Sequence, residues 1–432
     1  MFRLAASSTP STLTQTVIRL GAVAVACSAL TWSLSGCGGG SRAKEYAPSS
    51  VVSFGDENSL IETYTSATNH FKDSAGASTT LKGLTYTVNS LLQDAPLYCV
   101  DSVSNPAACV TASAYTDVGN DFVASVSTFA HVFDGTKPNT VTLIERGTAT
   151  KGGTPATPLQ RSTVLGYNCA ESVLWNQVVA HSFGKGFGDA CAIDNDGAKS
   201  YAAYGATIAN LQAQVAAHRA ELGEGVLVTI MVGQHDILEL YRDTLSHPQN
   251  EAANRQELSN RVANLANIVK DVLSTGAKVV LAYPPDLSKS PLASKNGANA
   301  NLLALFVDDR FLGGNSLKIG FIPTLIRSLG SGVTTDGRHF AVVETNNLTN
   351  LQSAGYVYGP NRLCDENSTY LEPDGSVTAE SDPGKLVKYC TRSNFVTNGS
   401  TSTYMWADDI HFAPLGHALI GSQAASRAYN QF

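Results

Sequence analysis

Strand-like and helix-like segments alternate along this chain, and two near-continuous apolar runs, "GVLVTIMVG" and "AKVVLAYPP", have the composition of strands buried on both faces. With helically spaced apolar stripes between them, these runs predict an α/β fold in three α/β/α layers around a central parallel sheet. The 432 residues are 43% hydrophobic and 15% charged, enough to build a large core. The formal net charge is −7 and no Lys/Arg run occurs, which argues against nucleic acid as a partner.

The elements follow in order. Residues 1–36 read as a secretory signal: Arg3 and Arg19 precede "LGAVAVACSALTWSLSGC", which is too short and too rich in small residues for a membrane span. Its ending, Leu34-Ser35-Gly36-Cys37, resembles a bacterial lipobox, which implies lipidation of Cys37 and a membrane partner reached through that anchor. Gly38 stands where an inner-membrane retention aspartate would sit, so the expected location is the cell envelope at the outer membrane. Residues 37–50 would then be a flexible tether, and 51–432 the folded domain.

"SSVVSF" is a short β-branched strand that runs into a Gly-Asp turn. Residues 61–169 alternate Ser, Thr and Val with apolar positions and show little helical period, so they read as a β-rich insertion. "VLWNQVVAHSFG" and "GATIANLQAQVAAHRAELG" have helical spacing, the second with a glycine stop at Gly223. Asn254 to Ser274 carries Leu258, Val262, Leu265, Ile268, Val269 and Val272 on one stripe. Residues 345–404 form a second, loop-rich insertion.

Cysteine usage agrees with export. Apart from Cys27 and Cys37, six remain: Cys99, Cys109, Cys169, Cys191, Cys364 and Cys390. An even set suits an oxidising compartment, and pairing of nearest neighbours (99–109, 169–191, 364–390) is favoured among the connectivities six cysteines allow. No Cys/His spacing indicates zinc.

Chemistry concentrates in four blocks: "FGDENSL" from Phe54 to Leu60, "SYAAYGATI", "VGQHDILELY" and "DDIHFAPLGH". Their order and content resemble the SGNH/GDSL hydrolase family of esterases and lipases, over about Val51 to Phe432. "AYPPDLSKSP" and "VLWNQVVA" are similar to further segments of that family. The resemblance implies a flavodoxin-like sheet with the site at its strand ends, a serine acyl-enzyme mechanism on an acyl or acetyl ester, and no cofactor or metal. It also implies that His411 is the base, Asp408 its orienting carboxylate, and the Gly205 N–H an oxyanion donor.

Two departures leave the nucleophile open. Aligned from the right, "SL" makes Ser59 the nucleophile on a turn lengthened by two residues. Aligned from the left, Glu57 takes that place. His235 stands where the family has the asparagine of the oxyanion hole, a role imidazole fills in a pH-dependent way. One reading is an esterase using Ser59, His235 and Gly205. Another is a non-catalytic surface binding module in which Glu57 pairs with His235 or His411. A third takes Glu57, His235 and His411 as a set of divalent-metal ligands.

Other residues read as structural. Asp56 and Asp236 brace loops, Trp175 packs its helix, and His417 lies on a helix surface behind the site. The Asn-x-Ser/Thr triplets at Asn347, Asn367 and Asn398 carry no functional weight.

Overall fold

A computed structural model describes residues 46–67, 69–72, 77–93, 97–100, 110–111, 141–149, 157–167, 172–188, 196–295, 299–313, 318–330, 338–347 and 357–432. The signal segment, Cys37 and most of the tether lie outside the described residues. So does at least one member of each of the pairs 99–109 and 169–191.

The central sheet has six strands: β1 (Ser50–Gly55), β2 (Gly186–Phe187), β3 (Asp196–Ser200), β4 (Val226–Met231), β5 (Lys278–Ala282) and β6 (Phe340–Val343). They lie in the order β2-β3-β1-β4-β5-β6, and every pairing is parallel. In register, Val52 stands opposite Val228, and Val228 opposite Val279.

The central strands β4, β5 and β6 are predominantly apolar because helices cover both faces. On one face, Val52, Phe54, Val228, Ile230, Val279 and Leu281 form one core with α2 (Ile208–His218), α3 (Gln234–Ser246), α4 (Glu251–Ser274) and α5 (Phe321–Leu329). The predicted stripe from Leu258 to Val272 is the buried side of α4. Two further helices, α1 (Trp175–Ser182) and α6 (Pro414–Gln431), pack against each other. Gly421 permits that approach, since a Cβ there would lie 2.5 Å from the Val178 side chain and 2.7 Å from the Trp175 carbonyl. The three-layer α/β fold expected from the sequence is therefore present.

Setting aside the two-residue edge strand, the order is the flavodoxin-like one, in which successive connections leave β1 toward opposite sides of the sheet. A crevice opens outside the carboxyl ends of the strands at that reversal. Residues following β1, β3 and β4 meet there.

The strands between residues 61 and 167 pair antiparallel. Tyr64, Phe71, Leu81, Leu84 and Tyr86 from this region share a second core with Leu363, Cys364, Tyr389 and Cys390. The two insertions thus pack on each other. Cys364 and Cys390 are joined by a disulfide.

Candidate functional site

The turn after β1 sets the geometry. Gly55 has φ +129°, and a Cβ there would fall 1.8 Å from the Met231 carbonyl oxygen, so only glycine lets β1 end this close to β4. The Asp56 N–H then donates to that same oxygen at 3.1 Å. Asp56 caps one 3₁₀ turn, Glu57–Ser59, by accepting from the Asn58 backbone N–H (3.1 Å) and side-chain amide (2.9 Å). This is the bracing role its position suggested.

With about three residues per turn, side chains two apart in a 3₁₀ turn point to different sides. Glu57 and Ser59 are separated in this way. The Ser59 hydroxyl accepts the Trp175 indole N–H at 3.0 Å, and its carbonyl accepts from Asn176 (3.0 Å) and Ser200 (2.6 Å). The expected alcohol–imidazole contact is absent: the serine side chain faces α1, and the two additional residues form the 3₁₀ turn itself. Trp175 is fully buried, as expected of core packing, and is also the residue that holds Ser59.

Glu57 occupies the site. One carboxylate oxygen accepts from His235 Nε2 at 2.6 Å, from His411 Nε2 at 3.1 Å and from the Gln234 amide at 3.4 Å. The other accepts the Gly205 backbone N–H at 3.0 Å. His411 Nδ1 meets Asp408 at 2.7 Å, and Asp408 also accepts the backbone N–H groups of Ile410 (2.9 Å) and His411 (2.7 Å). Gly205, His235, Asp408 and His411 are therefore gathered in one place, around a carboxylate.

Both ring nitrogens of His411 face carboxylate oxygens, so each must carry a hydrogen and the ring is an imidazolium. Burial favours the neutral ring, but Asp408 and Glu57 outweigh it and push the His411 pKa up to about 10. His235 also shifts upward: its burial acts downward, and the hydrogen bond to Glu57 wins. Burial opposes the charge on Glu57, yet the hydrogen bonds from the two histidines hold it well below the usual carboxylate range. Burial and the neighbouring Glu57 push Asp56 up to about 7.

Glu57 and His411 have no exposed surface, whereas 17% of the His235 side chain is exposed. A cleft of about 650 Å³ opens over them, with Tyr204, Gly205, His235 and Asp408 at its floor. Tyr204 stacks on Tyr86 with ring centroids 4.9 Å apart, meets His235 edge-on, and donates its hydroxyl to Asp382 at 3.0 Å.

The proposed metal set is engaged in these direct hydrogen bonds. Among the described residues no group of three His, Cys, Asp or Glu side chains is arranged to hold a metal ion. Asp236 braces α2 by accepting the Ile208 N–H at 2.9 Å. His417 departs from expectation: it lies fully buried in α6 against Phe412, and burial, with His411 nearby, pushes its pKa down to about 3.

Sequence reasoning missed Gln234, Asn58 and Tyr204. Gln234 bridges Glu57 and Asn58, accepting the Asn58 amide at 3.0 Å. Gln234 and Tyr204 directly precede site residues in their blocks, which is the signal that marks them.

Compared with known proteins, the chain matches no protein-family model and no curated protein. Among solved structures it is similar to protein YxiM from Bacillus subtilis, at 10% identity over 85% of this chain and 98% of that one, with a TM-score of 0.30. Among the described residues, no helix is long and apolar enough to cross a membrane.

Proposed function

We propose that this chain is a non-hydrolytic binding module built on a hydrolase-type α/β scaffold, with its ligand site in the cleft above Glu57. The single observation that carries the reading is the Glu57 carboxylate, seated between His411, His235 and the Gly205 N–H. An acyl-enzyme mechanism needs a hydroxyl beside a neutral imidazole and free donors for the developing oxyanion. Here an anion takes the donors, and the two carboxylates that accept from the imidazole hold it in its protonated form. Ser59 is supported in a structural role by its bond to Trp175. Glu57 is also a poor candidate for a nucleophile in its own right, because it has no exposed surface and its carboxylate is held by four donors.

In this reading the module is exported and tethered to the cell envelope through a lipid on Cys37, a placement supported by the Leu34-Ser35-Gly36-Cys37 sequence. Hydrolysis of p-nitrophenyl acetate and butyrate tests the absence of chemistry. The expected rate for the wild type equals that of Ser59→Ala and His411→Ala, at background. Turnover by the wild type that either substitution abolishes would overturn the reading.

A further inference from the structure

Among the cationic side chains that line the cleft one has no carboxylate partner, while Asp382, the lining carboxylate outside the ion pairs, accepts the Tyr204 hydroxyl. Lys295 pairs with Glu366 (2.8 Å) and Asp409 (2.7 Å), Arg362 pairs with the same two carboxylates, and His235 pairs with Glu57. Arg242, which also lines the cleft, is exposed and has no carboxylate within ion-pair distance among the described residues. It lies on α3 seven residues after His235, two helical turns along the same face, so it stands about 10 Å from the buried cluster along the helix axis. The opposite character comes from Leu292, Leu386, Val387 and Ile410, which give the same cleft an aliphatic lining.

We infer that the cleft takes an amphiphilic organic anion, its carboxylate on Arg242 and its aliphatic body against Leu292, Leu386, Val387 and Ile410. The inference rests on the binding-module reading and supplies its ligand class. The anionic end cannot use the donors at the floor of the cleft, because Glu57 holds them and would repel a second carboxylate. That leaves Arg242 as the unengaged cation, with a planar fork of donors suited to a carboxylate. Burial of the aliphatic body supplies the non-directional part of the affinity. The charge then discriminates an acid from the corresponding alcohol.

The test is a saturation-transfer or calorimetric titration of the full chain carrying Cys37→Ser, so that no attached lipid competes. Octanoate, 1-octanol and acetate are the three probes. Octanoate should bind saturably, and 1-octanol and acetate at least about tenfold more weakly, since each lacks one half of the recognition. Arg242→Gln should weaken octanoate by about tenfold and leave 1-octanol unchanged, with the salt dependence of octanoate binding lost at the same time. Absence of saturable octanoate binding, equal binding of octanoate and 1-octanol, or an Arg242→Gln variant with wild-type octanoate affinity would each overturn the inference. Leu386→Asp supplies a second check: it should abolish octanoate binding while circular dichroism stays native, and retained binding would remove the aliphatic wall from the account. Ester turnover by the wild type would overturn the non-hydrolytic reading and leave these titrations interpretable.

Discussion

Glu57 and His411 are both fully buried charges in one network, Glu57 shared between His411 and His235 and His411 between Glu57 and Asp408. Glu57→Ala should cost about 1–3 kcal/mol, the usual penalty for leaving buried donors without their acceptor while His411 keeps Asp408, read as a lowered urea midpoint at pH 7. Their titrations give the stability a defined pH dependence. His411 is raised from 6.5 to about 10, so its contribution is complete below pH 6.5 and is lost as pH rises through about 10. Glu57 is depressed, so its contribution is complete above its ordinary value of 4.5 and is lost only as pH falls below it. The pair therefore stabilises most between about pH 4.5 and 6.5 and progressively less toward pH 10. Urea midpoints measured from pH 7 to 10 should fall across that range in the wild type and fall less steeply in Glu57→Gln. Parallel slopes would contradict the pairing. The sequence made both Glu57 and Ser59 eligible for one position, since alignment from either side is self-consistent. What separated them is the 3₁₀ geometry after Asp56, which pattern matching does not encode.

At the scale of elements, the site is assembled by strand ends and by glycines that allow close approach. Gly233 caps α3 with φ +115°, and a Cβ there would lie 2.2 Å from the Phe321 ring. Gly233→Ala should cost roughly 3 kcal/mol from strained backbone and overpacking, and should displace His235 two residues on. A thermal melt measures the first effect, and a histidine NMR titration of His235 the second. Trp175→Phe should lower stability by about 1–2 kcal/mol, since it removes the donor to a buried hydroxyl. A Ser59→Ala/Trp175→Phe double-mutant cycle should return a non-zero coupling, and strict additivity would deny that contact. The strands and helices of the central layers were legible because apolar runs and 3.6-residue stripes report burial directly. The stripe from Leu258 to Val272 coincides with the buried side of α4. The mutual packing of the insertions was not legible, because contacts such as Tyr86 with residues near Cys390 join segments some three hundred residues apart and leave no local period.

For the whole molecule, residues that follow strands of the central sheet, Tyr204, Gly205 and His235, line the cleft, and much of its wall comes from the segment between Cys364 and Cys390. Their separation of 26 residues implies roughly 3–4 kcal/mol of stabilisation in the chain-entropy account. Replacing both cysteines by serine should lower the melting temperature and weaken ligand binding in the cleft together. A large loss of stability with binding intact would show that the loop holds its shape without the bridge. The flavodoxin-like strand order explains why residues from four distant blocks converge: "FGDENSL", "SYAAYGATI" and "VGQHDILELY" each follow a strand at the reversal, and "DDIHFAPLGH" precedes α6. The blocks were recognisable in the sequence as a set, whereas their chemistry depended on which side chain reached the imidazole. Intact-mass analysis after incubation with a fluorophosphonate tests that point most directly. The account predicts no adduct on the wild-type protein, and a single adduct, on the peptide spanning the substitution, for Glu57→Ser. A stoichiometric wild-type adduct mapped to Ser59 would contradict it.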